Sequence, residues 1–341
     1  MGIYFNPDNG SFKRTVRSPL YVDKTGLLEE LNRVLWTESS CISLSHARRF
    51  GKSQAAGMID AYYSFGSDSR ELFSNFNISK EADFEEHLNK YNVIHMDISA
   101  FLDNHKGSIK DRIWNTIYRE MSADIPGLID ITEPVSTVLM DAMLKTGRKF
   151  VIILDEWDCV IRNCAGNDEQ IHSYLQFLHS LFKSEESKSY LALAYITGII
   201  PIVRDKIQSK LNEFDEYTMT DADRFAAHIG FTREETEQLC NQYGCDFKEF
   251  ERWYNGYKLS DKVSLFNPKS VVSAIIRKRM DSYWSATGSF EALQEYILMD
   301  FEGIRQDVIS MIAGNSVEVD IYGYLNTLDC FKSKDHVFTY L

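Results

Sequence analysis

Short, nearly uninterrupted apolar runs alternate with amphipathic stretches along the first two thirds of the chain. The runs have the length of strands, and their lack of polar positions indicates strands that are buried on both faces. Predicted strands cover CISLS (41–45), NVIHMDIS (92–99), KFVIILDE (149–156), YLALAYITGI (190–199) and a short fifth run, EYTMT (216–220). Apolar residues at helical spacing predict helices over 27–36 and Lys52–Tyr63. This alternation is typical of a parallel α/β sheet that is flanked by helices.

The pattern changes after about residue 221, where helical signals replace buried strands. Thr232 and Glu235 have the spacing of a capping box at a helix start, and Asn267-Pro268 opens a further helix. The last six residues, HVFTYL, are apolar, whereas chain ends are usually polar, so we expect a chain that is truncated within a larger protein. The sequence therefore predicts three ranges: an N-terminal lead-in over 1–40, an α/β domain over 41–220 and a mostly helical second domain over 221–341.

Composition and charge narrow the class of protein. The 341 residues include 44% hydrophobic and 26% charged residues, which is ordinary for a soluble globular protein. The net charge of −13 argues against a general nucleic-acid-binding surface, which requires a basic face, and leaves room for a local basic site. No apolar run approaches the ~20 residues of a membrane span, and the N-terminus lacks the apolar core of a signal peptide. We therefore expect a cytoplasmic protein without membrane contact.

One basic cluster stands out in this acidic chain, between the first predicted strand and the following helix. Its sequence, HARRFGKS (46–53), places two arginines and a lysine around a single glycine. Strand, glycine turn and helix form the context of a P-loop (Walker A), in which backbone N–H groups and a lysine surround phosphates and a Ser or Thr reaches Mg²⁺. His46 stands where the full G-x-x-x-x-G-K-[ST] pattern has its first glycine. The residues predicted to bind ATP are Arg48, Arg49, Phe50, Gly51, Lys52, Ser53 and Gln54.

Two adjacent carboxylates end the third predicted strand and support a nucleotide site independently. Asp155 and Glu156 follow the run FVIIL, far enough along the chain from Lys52 for one further strand and its crossovers. In a Walker B arrangement the first acid, together with Ser53, holds Mg²⁺, and the second polarises the attacking water. The alternative is a strand that ends in solvated charges, as many strands do. The combination of this acidic end with the upstream Gly-Lys-Ser favours the nucleotide site.

Two further residues are candidates for roles at the γ-phosphate. Thr197 ends the fourth predicted strand, from which its hydroxyl could donate to phosphate; the alternative is a strand that ends in Thr-Gly because turns favour glycine. Arg49 is suited to bidentate phosphate contacts, and the alternative is that Arg49 or Arg48 pairs with a nearby acid. The predicted catalytic residues are therefore Glu156, Thr197 and Arg49.

Taken in order, several motifs resemble those of the AAA-ATPase-like family of bacterial proteins. They are YVDKT (21–25), ARRFGKS (47–53), VIILDEWD (151–158), ITGIIPI (196–202), FDEYTM (214–219), WYNGYKL (253–259), FNPKSVV (266–272) and YW..TG (283–288). The resemblance implies a P-loop NTPase sheet of the ASCE type, related to the signal-transducing, archaeal-type P-loop ATPases, with ATP and Mg²⁺ as cofactors. The family commonly has Arg-Pro in place of His46-Ala47, so the missing first glycine is typical of it.

The resemblance also bears on partners. Members of the family often continue into a PD-(D/E)XK-type nuclease domain, and none fits within these 341 residues. The predicted partners are therefore ATP and either a separate protein or a fused downstream domain, with no membrane and no indicated nucleic acid. Arg277-Lys278-Arg279 is better explained as a solvated helix end than as a nucleic-acid site.

Two interpretations of the function remain open from the sequence. In the first, the protein is an ATPase in which hydrolysis switches the position of the helical domain on the α/β core. In the second, it is a non-hydrolysing nucleotide-binding interaction module. His46 favours the second slightly, whereas the presence of Glu156 favours the first. Arg204 and Arg224 are candidates for an arginine finger, and the alternative for both is a surface or structural role.

Overall fold

Five parallel strands form the central sheet of the protein. The computed structural model describes residues 2–102, 107–164, 167–199, 201–202, 211–219, 221–258, 263–283, 300–319 and 333–340. The strands are β1 (Cys41–Ser45), β2 (Asn92–Asp97), β3 (Phe150–Asp155), β4 (Leu191–Gly198) and β5 (Asp215–Thr218). Their order is β2-β3-β4-β1-β5, and every neighbouring pair is parallel. The predicted parallel α/β sheet is thereby confirmed, with each strand within two residues of its predicted bounds.

The strand order decides which strand ends meet. Because β4 lies between β1 and β3, the sheet has the order expected of the ASCE type of P-loop NTPase. All carboxyl ends lie along one edge of the sheet, where α/β proteins usually bind ligands. In register across this edge, Asp97 pairs with Asp155, Asp155 with Thr197, and Thr197 with Leu44. The two predicted site residues Asp155 and Thr197 are therefore neighbours on one face.

Helices cover both faces of the sheet and bury it. One face packs against α1 (Gly10–Val16), α2 (Gly26–Asn32), α3 (Lys52–Tyr63), α4 (Arg70–Phe73) and α5 (Phe84–His87). The other packs against α6 (Ile109–Asp124), α7 (Val135–Thr146), α8 (Cys159–Asn163), α9 (Asp168–Phe182) and α10 (Ser187–Tyr190). Short 3₁₀ helices cover Asn77–Lys80, Ile98–Phe101, Asp223–Phe225 and Phe301–Gly303. Burial on both faces explains why the strands lack polar alternation.

The N-terminal range is built into this core. Phe5 forms an antiparallel bridge to Ile94, with hydrogen bonds from the Asn6 N–H to the Val93 carbonyl (2.8 Å) and from the His95 N–H to the Tyr4 carbonyl (2.9 Å). This segment covers the outer edge of β2, which would otherwise present unpaired backbone groups.

The range after residue 221 combines helices with a small antiparallel sheet, whose strand order is β6-β8-β7. Its elements are β6 (Phe231–Thr232), α11 (Arg233–Tyr243), α12 (Phe247–Tyr254), β7 (Asn255–Lys258), β8 (Ser264–Phe266), α13 (Pro268–Arg277), α14 (Ile304–Ile312) and α15 (Lys334–Tyr340). The predicted capping box of Thr232 and Glu235 is present, and the Asn267 side chain caps α13. The sequence did not predict this second sheet. Within the described ranges, no helix has both the length and the apolar composition of a membrane span.

Candidate nucleotide-binding site

The loop between β1 and α3 has the backbone of an anion site. The His46 N–H donates to the Gly198 carbonyl (3.1 Å), which extends the β1–β4 ladder by one residue before the chain turns. Gly51 has φ of +93°, a conformation that favours glycine, and α3 begins at the next residue without a side-chain cap. The first N–H groups of this 12-residue helix and its dipole are thus available to an anion.

Lys52 is the buried cation of the loop. Its side chain is buried, and its ammonium donates to the carbonyls of His46 (2.8 Å) and Ala47 (3.0 Å). Burial lowers the pKa of Lys52, and the charges of Glu156, Asp155 and Asp158 oppose that shift. The lysine of the loop therefore lies within the electric field of the acids that end β3. The structure brings together the two motifs that the sequence singled out.

Asp155 and Ser53 meet beneath the loop. Asp155 is 4% exposed, and its Oδ1 accepts a hydrogen bond from the Glu156 N–H (3.0 Å). Burial raises the pKa of Asp155, and a hydrogen bond from the Ser53 side chain opposes the rise. A carboxylate beside a hydroxyl at the start of a phosphate-binding helix is a donor set that Mg²⁺ uses, because this ion completes its shell with phosphates and waters. These two residues fit the predicted metal pair.

Glu156 is held by an arginine that the sequence analysis missed. Its Oε2 accepts a hydrogen bond from Nη2 of Arg162 on α8, and the Nε of Arg162 donates to Oδ2 of Asp158 (2.9 Å). The signal in the sequence is the spacing of Asp158 and Arg162, four residues apart on one face of a short helix. A pair of opposite charges at this spacing is common on exposed helices, so it did not indicate a site.

Thr197 carries a buried hydroxyl without a partner. The side chain is fully buried, and among the described residues nothing forms a hydrogen bond with its Oγ1. The following glycine is explained by packing, because a Cβ on Gly198 would lie 2.7 Å from Oδ1 of Asp158. Packing thus gives a structural reason for Gly198, and the role of Thr197 stays a prediction.

The predicted loop residues surround one cavity of about 670 Å³, a volume within the range of small-molecule sites. Loop residues 48–55 and Glu156 form one wall. The other walls come from two segments that lie before and after the α/β core, and they were not predicted. They include Tyr21, Val22 and Lys24 before the loop, and His228, Phe231 and Lys269 after residue 221. Only the tertiary fold brings these segments to the loop.

The remaining predicted residues lie in different environments, some exposed at the cavity and others in contact with aromatic side chains. Arg48, Arg49 and Gln54 are exposed and line the cavity, and neither arginine forms an ion pair with the residues that the structure describes. The alternative in which one of them pairs with an acid is therefore not seen. Arg224 donates to the Tyr217 hydroxyl (3.1 Å) and stacks on Phe225, which is a structural role, and Arg204 lies outside the described residues.

His46 and Phe50 are the buried members of the loop. Burial, with the charge of Lys52 as the second cause, lowers the pKa of His46 to about 3, so the imidazole is neutral at neutral pH. The Phe50 ring is 1% exposed, and the Phe50 carbonyl accepts a hydrogen bond from the Gly230 N–H (2.9 Å). Phe50 thus lines the cavity while it ties the loop to the second part of the chain.

Comparisons with known proteins show the family of the chain. The fold is similar to that of the Aeropyrum pernix ORC2 protein, solved as ADPNP–ADP complexes, at 12% sequence identity and a TM-score of 0.40 over 91% of this chain and 80% of that chain. No curated protein sequence matches the chain. The family described as "Predicted AAA-ATPase" matches residues 11–208, which include the loop, both acids and Thr197. Since this match spans more than half of the chain, the protein belongs to the AAA-ATPase-like family of P-loop proteins.

Proposed function

We propose that the protein binds ATP with Mg²⁺ in the cavity over residues 46–53 and hydrolyses it to ADP and phosphate. The observation that carries this proposal is the position of Lys52, buried in the loop and within the field of Asp155 and Glu156. Burying a charged lysine and two neighbouring acids lowers the free energy of unfolding, so the stability of the fold does not explain this arrangement. The arrangement is explained if an anionic ligand completes it.

Binding uses the loop and the start of α3. The first N–H groups of α3 and the ammonium of Lys52 receive the β- and γ-phosphates, for which Lys52 exchanges the His46 and Ala47 carbonyls for phosphate oxygens. The exposed Arg49 is placed on the cavity wall to contact phosphate. Ser53 and Asp155 would hold Mg²⁺, which neutralises charge on the phosphates when bound.

Hydrolysis uses the second acid. A water oxygen attacks the γ-phosphorus, Glu156 accepts the proton of that water, and the bond from the γ-phosphorus to the β–γ bridging oxygen breaks, so that ADP and phosphate leave. The Thr197 hydroxyl has no partner within the described ranges, but it is fully buried and does not line the cavity, so its donation to a γ-phosphate oxygen requires the end of β4 to open when nucleotide binds.

A switch role is supported by the walls of the cavity. Residues before the loop, such as Lys24, and residues of the second part, such as His228 and Lys269, face the same space as the loop. A nucleotide in this space would contact both parts at once, so its binding and hydrolysis would change how they sit together. We therefore propose that 41–220 acts as the ATPase domain and 221–341 as the part that responds.

The proposal is tested by thermal unfolding with and without Mg-ATP or a non-hydrolysable analogue. At a hundredfold excess over Kd, binding adds about 2.7 kcal/mol to the free energy of unfolding, so Tm should rise by roughly 4 °C. Lys52→Ala removes a charge-assisted contact of about 1.5–3 kcal/mol, so nucleotide affinity should fall roughly 10–100-fold. The variant should still fold, so that its affinity for nucleotide can be measured.

Lys145→Ala is the matched control, because Lys145 lies on α7 and pairs with Asp141 away from the cavity. This variant should keep the full shift with nucleotide. No shift of the parent protein at millimolar nucleotide, or equal affinity of Lys52→Ala and the parent, would contradict the site. Binding without turnover would favour the alternative function, a non-hydrolysing interaction module.

A further inference from the structure

One guanidinium holds two acids directly behind the cavity. Arg162 on α8 donates from Nε to Oδ2 of Asp158 (2.9 Å) and from Nη2 to Oε2 of Glu156. Its side chain is 11% exposed and does not line the cavity, whereas Glu156 does. Arg162 therefore contacts the cavity through Glu156 rather than directly.

Asp158 is the most firmly held residue of the three that Arg162 connects. It is fully buried, and its Oδ2 also accepts a hydrogen bond from the Ile199 N–H (3.2 Å) at the end of β4. Gly198 packs so closely against Asp158 that a Cβ there would overlap it. The carboxylate consequently cannot move without a shift of the β4 end. Asp158 holds two nitrogens of Arg162, since Nη2 also donates to its Oδ1 (3.4 Å), and this same Nη2 donates to Oε2 of Glu156.

This arrangement restricts a flexible acid. Glutamate has three side-chain torsions, and ordering such a side chain lowers its conformational entropy. If Glu156 is already ordered before the reaction, this loss does not add to the activation free energy. Arg162 engages only Oε2 of Glu156, and this leaves Oε1 to accept a proton. The buried ion pair thus orients Glu156 and keeps one of its oxygens available.

On this basis, and resting on the proposed hydrolysis, we propose that Arg162 is a positioning residue of the ATPase reaction. Held by Asp158, it fixes Glu156 so that the remaining carboxylate oxygen meets the attacking water. Because Arg162 acts through Glu156 and does not contact phosphate, its effect belongs to turnover and not to nucleotide affinity.

The first test separates turnover from affinity. Arg162→Ala should lower kcat by about 10–100-fold, the usual effect of losing a group that orients a catalytic side chain. The Kd for Mg-ATP should stay within about threefold of the parent value, because Arg162 does not contact the nucleotide and so does not contribute to its binding in the ground state. Arg162→Lys keeps the charge without the planar fork that reaches two acids, so its kcat should be intermediate. This variant also serves if Arg162→Ala does not fold.

A matched control is Arg148→Ala. Arg148 is also partly buried, donates from Nε to Oδ1 of Asn92 (3.1 Å) and stacks on Phe65, beside the start of β2 rather than its carboxyl end. Its loss removes a comparable set of contacts far from the cavity. We expect a lower Tm and an unchanged kcat, which would show that loss of packing alone does not reproduce the Arg162 effect.

The second test is a double-mutant cycle with Glu156→Gln. If Arg162 acts only through Glu156, adding Arg162→Ala to Glu156→Gln should change kcat by less than about twofold, because residues that act as a unit are not additive. A double variant whose loss equals the product of the two single losses would overturn the proposal. So would a loss that lies mainly in Kd, which would mean a direct phosphate contact.

Different results would refute the proposed hydrolysis and the proposed role of Arg162. A parent protein that binds Mg-ATP and turns none over refutes the proposed hydrolysis, and the role of Arg162 in it falls as well. A parent protein that hydrolyses ATP while Arg162→Ala is equally fast refutes the role of Arg162 alone.

Discussion

Glu156 has a left-handed backbone conformation, with φ of +52°, at the point where β3 ends. Such a conformation is unfavourable by about 1–2 kcal/mol for a residue with a Cβ, so surrounding contacts must hold it. The bond from its N–H to Asp155 and the contact of its carboxylate with Arg162 supply them. Arg49 in the loop has φ of +70°, so two of the predicted site residues share this feature. Strained residues of this kind are frequent at functional sites.

Two neighbouring acids should respond differently to the loss of charge. Glu156→Gln keeps the shape of the side chain and removes the proposed base, so kcat should fall by about 10²–10⁴, the usual contribution of a general base. The affinity for Mg-ATP should hardly change. Asp155→Asn removes a proposed ligand of Mg²⁺, so both kcat and the Mg²⁺-dependent part of the affinity should fall.

The measurement is steady-state hydrolysis together with nucleotide titration at high and low Mg²⁺. Turnover of Glu156→Gln at the parental rate would assign Glu156 no role in proton transfer. Asp158, the next acid along the chain, is fully buried and paired with Arg162, and so it is not placed to replace Glu156 as a base.

The free energy of unfolding should depend on pH because of His46. The folded-state pKa of about 3 lies below the ordinary value of 6.5, so the unfolded chain binds more protons than the folded chain between these values. Stability from this group is therefore complete above pH 6.5 and is lost as the pH falls towards 3. At pH 5.5 the loss reaches about 1.4 kcal/mol relative to pH 7.5.

Denaturant unfolding of the parent and of His46→Asn at pH 7.5 and 5.5 measures this contribution. The advantage of the parent over the variant should shrink by the amount above on acidification, because the other titrating groups are common to both proteins. Replacement of the exposed His179 by Asn controls for the change of residue type. A difference that is constant between the two pH values would mean that folding leaves the protonation of His46 unchanged.

At the scale of elements, the sequence predicted the strands and helices whose positions follow from a local pattern of hydrophobic residues. The strands β1, β3 and β4 are apolar runs, such as Val151–Leu154 within β3, that fit only a sheet buried on both faces. Helix α3 was predicted with its observed bounds, because Gly51 precedes it and small apolar residues follow. The residues predicted to bind nucleotide came from motifs and stay a prediction, and the resemblance to a known family supplied the ASCE type of the sheet.

The elements that were missed depend on contacts distant in sequence. The strands β6, β7 and β8 have two to four residues each, too few to show a period, and they are strands only because they pair. Helix α8 has five residues, and the function of Arg162 within it depends on where the ends of β3 and β4 lie. The walls of the cavity come from three separate segments of the chain. No local pattern contains this information.

At the scale of the whole molecule, the loop over residues 46–53 is part of an interface. Phe50 is buried in the same cluster as Leu265 of β8, and the side chains of both residues lie beside Gly230. A second link runs from Lys24, whose ammonium forms an ion pair with Glu235 of α11 (2.6 Å) and donates to the Ala227 carbonyl (2.8 Å). The segments before and after the α/β core therefore contact each other next to the loop.

This interface predicts that residues outside the cavity influence nucleotide affinity. Leu265→Ala removes a fully buried side chain beside Phe50, which should lower the free energy of unfolding by about 2–5 kcal/mol. If the contact holds the loop in its binding conformation, the Kd for Mg-ATP should also rise at least about fivefold, a typical size for coupling between sites. Nucleotide should in turn protect backbone amides of 221–258 from hydrogen exchange, because such coupling is reciprocal.

Ile275→Ala is the control that decides between coupling and general loss of stability. Ile275 is equally buried in the same part of the chain, and it belongs to the cluster around α11–α13 rather than to the one that contains Phe50. Its replacement should lower the stability by a similar amount and leave the Kd unchanged at a temperature where both variants are folded. Equal Kd values for Leu265→Ala and Ile275→Ala, with no protection of 221–258 by nucleotide, would mean that the loop binds independently of the second part. In that case the contact through Phe50 would stabilise the fold without transmitting the state of the nucleotide.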